Sequence, residues 1–286
     1  CKKRRYIMTM DRKLIIQGLN ETQIPATAVR PDHYGAVVLM LHGITTDRDE
    51  YGGFYRKAAQ ALAARSIASL RIDFRGHGES AARSQDFTIS SQCQDATSAM
   101  NWILQNLPSD RICIWGTSFG APPAIFVAQS MRDVRGLFLL APVLNYRKTF
   151  LEPSTGWAKN SFNQEALRRA EACGELLIDG TFPVGLQLLR EMQQIDPVLA
   201  LSNLRIPVEI VHGESDSMVP YGLTQAAMRS ATSVKLIGVP NMDHGHMAYG
   251  DDDGASPESE RNFNLIIDEL AQFTSHLTRP EAENVR

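Results

Sequence analysis

Apolar residues fall in two alternating kinds of run. Short stretches such as VVLML, GLFLL and VEIV are continuous in hydrophobic residues, the mark of strands buried on both faces of a parallel sheet. The strands predicted are Leu14–Gln17, Ile24–Val29, Ala36–Leu41, Ser69–Asp73, Ile112–Trp115, Gly136–Leu140, Val208–Val211 and Val234–Gly238. The first two alternate more and are expected to form an antiparallel edge. Between them lie segments with helical spacing: Tyr55–Ala64, Ser91–Leu107, Ser118–Met131 and Arg261–Leu277. Pro108 closes the second of these. This βαβα order predicts a doubly wound, mostly parallel α/β sheet with helices on both faces.

One interval breaks the rhythm. More than a simple crossover separates the sixth strand from the seventh, and it holds two expected helices, Gln164–Leu177 and Pro183–Gln193. Residues 145–203 are therefore expected to form an inserted cap on a core made of 1–144 and 204–286.

The sharpest chemical signal is Gly116-Thr117-Ser118-Phe119-Gly120, a G-x-S-x-G turn between the strand ICIW and a helix. In so tight a turn the serine must adopt a strained backbone, which lifts its hydroxyl above a helix N-terminus. Pro122 and Pro123 fall in the first helical turn, where a missing N–H costs little. A serine hydroxyl needs a base, and the base an orienting carboxylate. Downstream, one strand ends in a loop carrying Asp216, and after one helix and one strand the next loop carries His244. Asp216 is preferred to Glu214 by its place in the loop, and His244 to His246 because it is nearer its strand end. Asp243 is read as a loop brace. The expected catalytic set is Ser118, Asp216 and His244. The expected oxyanion donors are the backbone N–H groups of Phe119 and of Ile44, which follows His42-Gly43. His42, His77 and His212 are read as structural, and His33 and His276 have no partner motif.

The segments LHGITTDRDEYGGFY, LRIDFRGHGES, WGTSFG, HGESDSMVP and NMDHGHMAY, in this order, resemble the α/β-hydrolase superfamily. Within it the chain is similar to serine-aminopeptidase-like and cinnamoyl (feruloyl) esterase-like carboxylesterases, which carry a comparable cap after the sixth strand. The resemblance implies an eight-stranded α/β-hydrolase fold, the triad Ser118, Asp216 and His244, and Ile44 and Phe119 as oxyanion donors. Thr117 departs from the histidine common in many relatives, which touches the subfamily and not the chemistry.

Composition narrows the partners. With 286 residues, 43% hydrophobic and 21% charged, the chain can bury a full core. The net charge of −3 offers no basic field for nucleic acid. No apolar run reaches the length of a membrane span, and no signal-peptide-like apolar stretch opens the sequence. Cys1, Cys93, Cys113 and Cys173 form no C-x-x-C pair, so neither a zinc knuckle nor a redox dithiol is expected, and a reducing, cytoplasmic setting is. Cys1 fits a lipidated end or a truncation remnant. With Met8 and Met10 as candidate starts, the remnant is the expectation. The basic cluster Lys2, Lys3, Arg4 and Arg5 reads as a solvated tail.

The expected activity is hydrolysis of a small-molecule carboxylic ester, with a short-chain or aromatic acyl group, through an acyl-enzyme and with no metal or organic cofactor. Cap residues Tyr146, Phe150, Trp157, Phe162 and Phe182 are read as local core ahead of ligand wall, although a pocket beneath them would suit a short-chain or aromatic acyl ester. Arg168, Arg169 and Glu171 make the cap too polar for a long-lipid lid. Alternatives with the same triad are a peptidase or amidase, for which Glu152, Glu165, Glu171 and Glu175 are candidate amine holders, a thioesterase or an acyltransferase. A non-catalytic binding protein of the same fold is a further one. A serine at the elbow disfavours haloalkane dehalogenation. The sequence leaves open whether the chain forms a homo-oligomer.

Overall fold

The computed structural model describes residues 11–231 and 233–278. Cys1, the basic cluster, Met8 and Met10 lie outside the described residues. Eight strands form one sheet: β1 (Asp11–Gln17), β2 (Gln23–Val29), β3 (Ala36–Leu41), β4 (Ile67–Ile72), β5 (Ile112–Thr117), β6 (Val134–Leu140), β9 (Val208–Gly213) and β10 (Val234–Val239). Their order is β1-β2-β4-β3-β5-β6-β9-β10. From β4 to β10 every pairing is parallel, and β1 and β2 form the antiparallel edge.

The continuous apolar runs follow from burial on two sides. Along β3, Val37, Leu39 and Leu41 face one core, and Val38 and Met40 face the other. The first core is closed by α2 (Ile89–Asn106) and α3 (Ala121–Ser130), the second by α1 (Phe54–Ala63) and α9 (Pro257–His276). Thr88 caps α2 with a reciprocal side-chain exchange with Ser91, and Ser256 caps α9 through the Ser259 N–H. Among the described residues no helix is long and apolar enough to cross a membrane.

Between β6 and β9 the chain forms a π-helical turn (Arg147–Leu151), α4 (Gly156–Ser161), α5 (Gln164–Cys173), strands β7 (Glu175–Ile178) and β8 (Phe182–Gly185), α6 (Leu186–Gln194) and α7 (Pro197–Ser202). Two expected helices are corrected here. The helix predicted over Gln164–Leu177 stops at Cys173, where Gly174 takes φ 87° and closes it. The helix predicted over Pro183–Gln193 begins only at Leu186. The residues released pair as an antiparallel hairpin. Leu176 and Ile178 are buried while Leu177 between them is 47% exposed, a two-residue period hidden in a run of four.

The turn after β5 shows why the motif needs its glycines. Ser118 sits at φ 51°, in the left-handed region that costs an L-residue energy. A Cβ on Gly116 would lie 2.7 Å from the Gly120 carbonyl oxygen, and one on Gly120 would overlap the carbonyl oxygens of Leu41 and His42. The elbow thus rests directly on the backbone at the end of β3. Gly120→Ala should lower stability by about 1–3 kcal/mol or more through overpacking against rigid backbone. Gly35→Ala, where a Cβ meets nothing within 4 Å, should change it by less than about 0.5 kcal/mol. Urea unfolding of both variants checks the contrast.

Candidate active site

The loops that follow β3, β5, β9 and β10 all leave the carboxyl edge of the sheet, the usual ligand edge of a parallel α/β fold. They bring Gly43, Ile44, Ser118, Val219, Asp243, His244 and His246 to one cavity of about 600 Å³. Phe150, Trp157 and Asp179 line it from the segment between β6 and β9.

Asp216 is buried and takes four hydrogen bonds. Its Oδ1 accepts the N–H groups of Met218 (2.8 Å) and Val219 (2.7 Å). Its Oδ2 accepts from His244 Nδ1 at 2.8 Å and from His212 Nε2 at 3.1 Å. Burial alone would raise this carboxyl, but the His244 charge and the two histidine hydrogen bonds hold it well below the usual carboxylate range. The effect on His244 is reciprocal. Burial disfavours the charged ring, yet the Asp216 charge and hydrogen bond, with Glu50 and Asp243 adding to them, raise it above the ordinary histidine value.

Because Nδ1 must donate to Asp216, Nε2 of His244 is left as the basic nitrogen. Among the described residues no hydrogen bond joins it to the Ser118 hydroxyl. Such contacts are often long before substrate enters and tighten in the complex. His246 lines the same cavity but stacks on Phe54, centroids 4.5 Å apart, and burial lowers it to about 4. It has no carboxylate hydrogen bond among the described residues. Glu214 is exposed, and among the described residues its carboxylate makes no hydrogen bond to a histidine. Asp243 braces the loops by accepting from Ser217 N–H, Ser217 Oγ and His244 N–H.

Ile44 and Phe119 present backbone rather than side chain. The Phe119 ring is buried among Tyr146, Phe150 and Phe87, while its N–H lies in the first turn after the elbow, where no intrahelical acceptor exists. The Ile44 N–H has no protein acceptor among the described residues. His42 joins this loop to the next: its Nδ1 donates to Gly43 O at 2.7 Å, and its Nε2 accepts the Phe74 N–H at 3.1 Å. Both ring nitrogens are used, so the ring is neutral, and burial lowers it to about 4.

His77, also buried, donates from Nδ1 to Arg75 O and packs against Phe87 and Phe182. It ties the core to the β7–β8 hairpin. The Thr117 side chain meets Tyr55, hydroxyl to hydroxyl at 2.6 Å, and Tyr55 also reaches the Leu41 carbonyl.

Two further contributors stand beside these: His212, which the sequence reads as structural without naming a partner, and Glu50, which it does not single out. His212 supports the Asp216 carboxylate directly, and its spacing of four residues across a strand end was the available signal. Glu50 lines the cavity and accepts the Gly43 N–H through Oε1. Its place depends on a loop conformation that no motif announces.

Of the five aromatics between β6 and β9, Phe150 and Trp157 line the cavity and Phe182 lines an adjoining one. Tyr146 and Phe162 belong to the core beneath.

The serine aminopeptidase S33 family matches residues 32–172, a stretch that holds Ile44 and the elbow and stops before Asp216. No curated protein matches the sequence. Among solved structures, Est1E from Butyrivibrio proteoclasticus with ferulic acid bound is similar at a TM-score of 0.74 and 20% identity, over 92% of this chain and 98% of that one. The esterase Pf2001 of Pyrococcus furiosus is similar at 0.68 and 17% identity, over 95% and 94%. The α/β hydrolase GrgF from Penicillium sp. sh18 is similar at 0.71 and 16% identity, over 94% and 99%. Sheet order and the structural matches together show the α/β-hydrolase fold.

Proposed function

We propose that the protein is a serine carboxylesterase, with Ser118, Asp216 and His244 as its triad and residues 145–203 as the cap that selects substrate. The observation that carries this reading is the 2.8 Å bond from His244 Nδ1 to a desolvated Asp216 carboxylate, made on the wall of the cavity into which the strained Ser118 opens.

In this reading Ser118 Oγ attacks the ester carbonyl while His244 Nε2 takes its proton. Asp216 stabilises the resulting imidazolium. The tetrahedral oxyanion is held by the N–H groups of Ile44 and Phe119. His244 then protonates the departing alcohol. Water activated by the same nitrogen releases the acid from the acyl-enzyme.

The cavity walls favour a compact acyl group. Phe54, Phe150, Trp157, Met218 and Val219 supply apolar surface, and about 600 Å³ suits a short-chain or aromatic acyl ester. The ferulic acid bound by Est1E supports the aromatic option.

A second reading, an amidase or peptidase, draws on the family match and on the cavity's charge. Glu50, Asp179, Asp243 and Asp252 line it, with no lysine or arginine among the described residues. The cap glutamates Glu152, Glu165, Glu171 and Glu175 do not line it, and the first two are paired with Arg147, Lys148 and Arg169. A panel of aminoacyl-arylamides beside aryl esters separates the readings, and faster turnover of the arylamides would replace the esterase assignment.

Ser118→Ala should lower turnover of a p-nitrophenyl ester by about 10⁵–10⁶ and abolish fluorophosphonate labelling while leaving circular dichroism unchanged. Retained labelling of this variant would refute the nucleophile.

His244 must be neutral to accept the proton. Its raised pKa therefore places the acid limb of kcat/KM above the ordinary histidine value, with activity lost as pH falls through it. Asp216→Asn should cut kcat by about 10³–10⁴ and move that limb to lower pH. A pH–rate profile of both proteins reads this.

A further inference from the structure

The cavity wall holds a half-buried carboxylate, Glu50, that the triad chemistry does not use. Glu50 sits at φ 60°, a conformation an L-residue adopts only when its surroundings impose it. The imposing contacts are present. Its N–H bonds Asp47 O at 3.0 Å, and its carbonyl accepts the Gly53 N–H at 3.0 Å. Two residues earlier, buried Arg48 is locked by Asp73, by Glu79 at 2.8 Å and by Thr27 at 3.0 Å. The strain delivers the Glu50 carboxylate to the oxyanion loop. Oε1 accepts the Gly43 N–H and Oε2 the Tyr51 N–H at 3.2 Å.

Gly43 is held on both sides. Its N–H goes to Glu50, and its carbonyl accepts from His42 Nδ1 at 2.7 Å and from the Thr46 hydroxyl at 3.3 Å. The peptide joining Gly43 to Ile44 is planar, so fixing the carbonyl fixes the direction of the Ile44 N–H on its opposite side. Without Glu50 the amide side of this permissive glycine would be untethered, and only the carbonyl contacts from His42 and Thr46 would hold it. A Cβ at position 43 would lie 3.3 Å from Glu50 Oε1 and 3.3 Å from Ser118 Cβ, so carboxylate and nucleophile flank the same residue.

We propose that Glu50 is a positioning residue of this site: it holds Gly43 so that the Ile44 N–H meets the oxyanion, and its charge supports the His244 imidazolium. This rests on the esterase reading above. The charges bearing on His244 are Asp216 from the loop after β9, Asp243 from its own loop and Glu50 from the loop after β3. His246, Asp179 and Asp252 also line the cavity. Burial raises the Glu50 carboxyl, and the Gly43 and Tyr51 N–H groups counter that in part.

The test uses one p-nitrophenyl ester and three proteins. Glu50→Ala removes both acceptor and charge. It should lower kcat about tenfold to a hundredfold, at or below the roughly hundredfold to thousandfold loss of a whole oxyanion donor because the Ile44 N–H is misplaced and not removed, with KM within about twofold. Glu50→Gln keeps an acceptor oxygen and removes only the charge. It should recover most of kcat while its kcat/KM acid limb moves to lower pH, because the imidazolium loses a supporting negative charge. A merely structural carboxylate would not move that limb. An unshifted limb in Glu50→Gln, or a kcat loss within twofold in Glu50→Ala, overturns the proposal. Should Glu50→Ala fail to fold, the limb of Glu50→Gln decides alone. A wild-type protein that turns over no ester overturns the underlying reading instead, so the two failures are told apart.

Discussion

The architecture of the site depends on one close approach, that of Gly120 to the backbone end of β3. The elbow after β5 packs against the Leu41 and His42 carbonyls with no room for a Cβ. That contact lets Ser118 hold a left-handed φ of 51° and sets the serine beside the loop that begins at Gly43. Two neighbouring parallel strands therefore supply both the candidate nucleophile and the candidate oxyanion donors from positions whose separation the sheet hydrogen bonds dictate. Tyr55 reinforces the joint from α1, touching Leu41 on β3 and Thr117 on β5.

Charge is distributed around that joint with the same economy. An ionised carboxylate in a dry site is costly unless its lone pairs are satisfied. Asp216 meets the condition with two backbone N–H groups and two histidines. His212 is consumed in this service: its Nε2 also faces the Val219 carbonyl and its Nδ1 the Thr224 hydroxyl. His244, by contrast, keeps one nitrogen toward the cavity. Two histidines on one carboxylate thus take opposite parts, one fixing the carboxylate and one left open to the cavity. The difference lies in what else each ring touches.

This explains which features could be read from the chain and which could not. The central strands were legible because burial on both faces leaves no polar position to confuse the pattern, as in Val37–Leu41. The elbow was legible because sterics demand its glycines at fixed spacing. Asp216 and His244 were legible as loop positions after two successive strands. The hairpin at 175–185 was not: Glu175–Ile178 is too short to display a period, and its leucines suit a helix as well as a strand. Only the closing of α5 at Gly174 and the pairing with Phe182–Gly185 decide the matter, and the second is a tertiary fact. Glu50 escaped for a similar reason. In sequence it is one charge among Asp47, Arg48 and Asp49. Only the ion pairs of Arg48 and the strained φ of Glu50 turn it inward.

The segment between β6 and β9 puts its aromatic residues to two uses, and the division follows from depth. Tyr146 and Phe162 are almost wholly buried. With Phe119 and Phe150 they make a small core of their own, so the segment is anchored through the ring of the residue that follows Ser118. Phe150 takes part in both, touching Phe119 on one side and the cavity on the other. Trp157, tied to Asp179 by its indole N–H at 3.0 Å, closes the wall beyond it. A substrate pressing on Phe150 or Trp157 therefore presses on side chains backed by the same cluster that fixes Phe119. Shape selection at the wall and the placing of the Phe119 N–H share one set of packed rings, and a change in wall shape cannot be made without disturbing the packing on which that backbone donor rests.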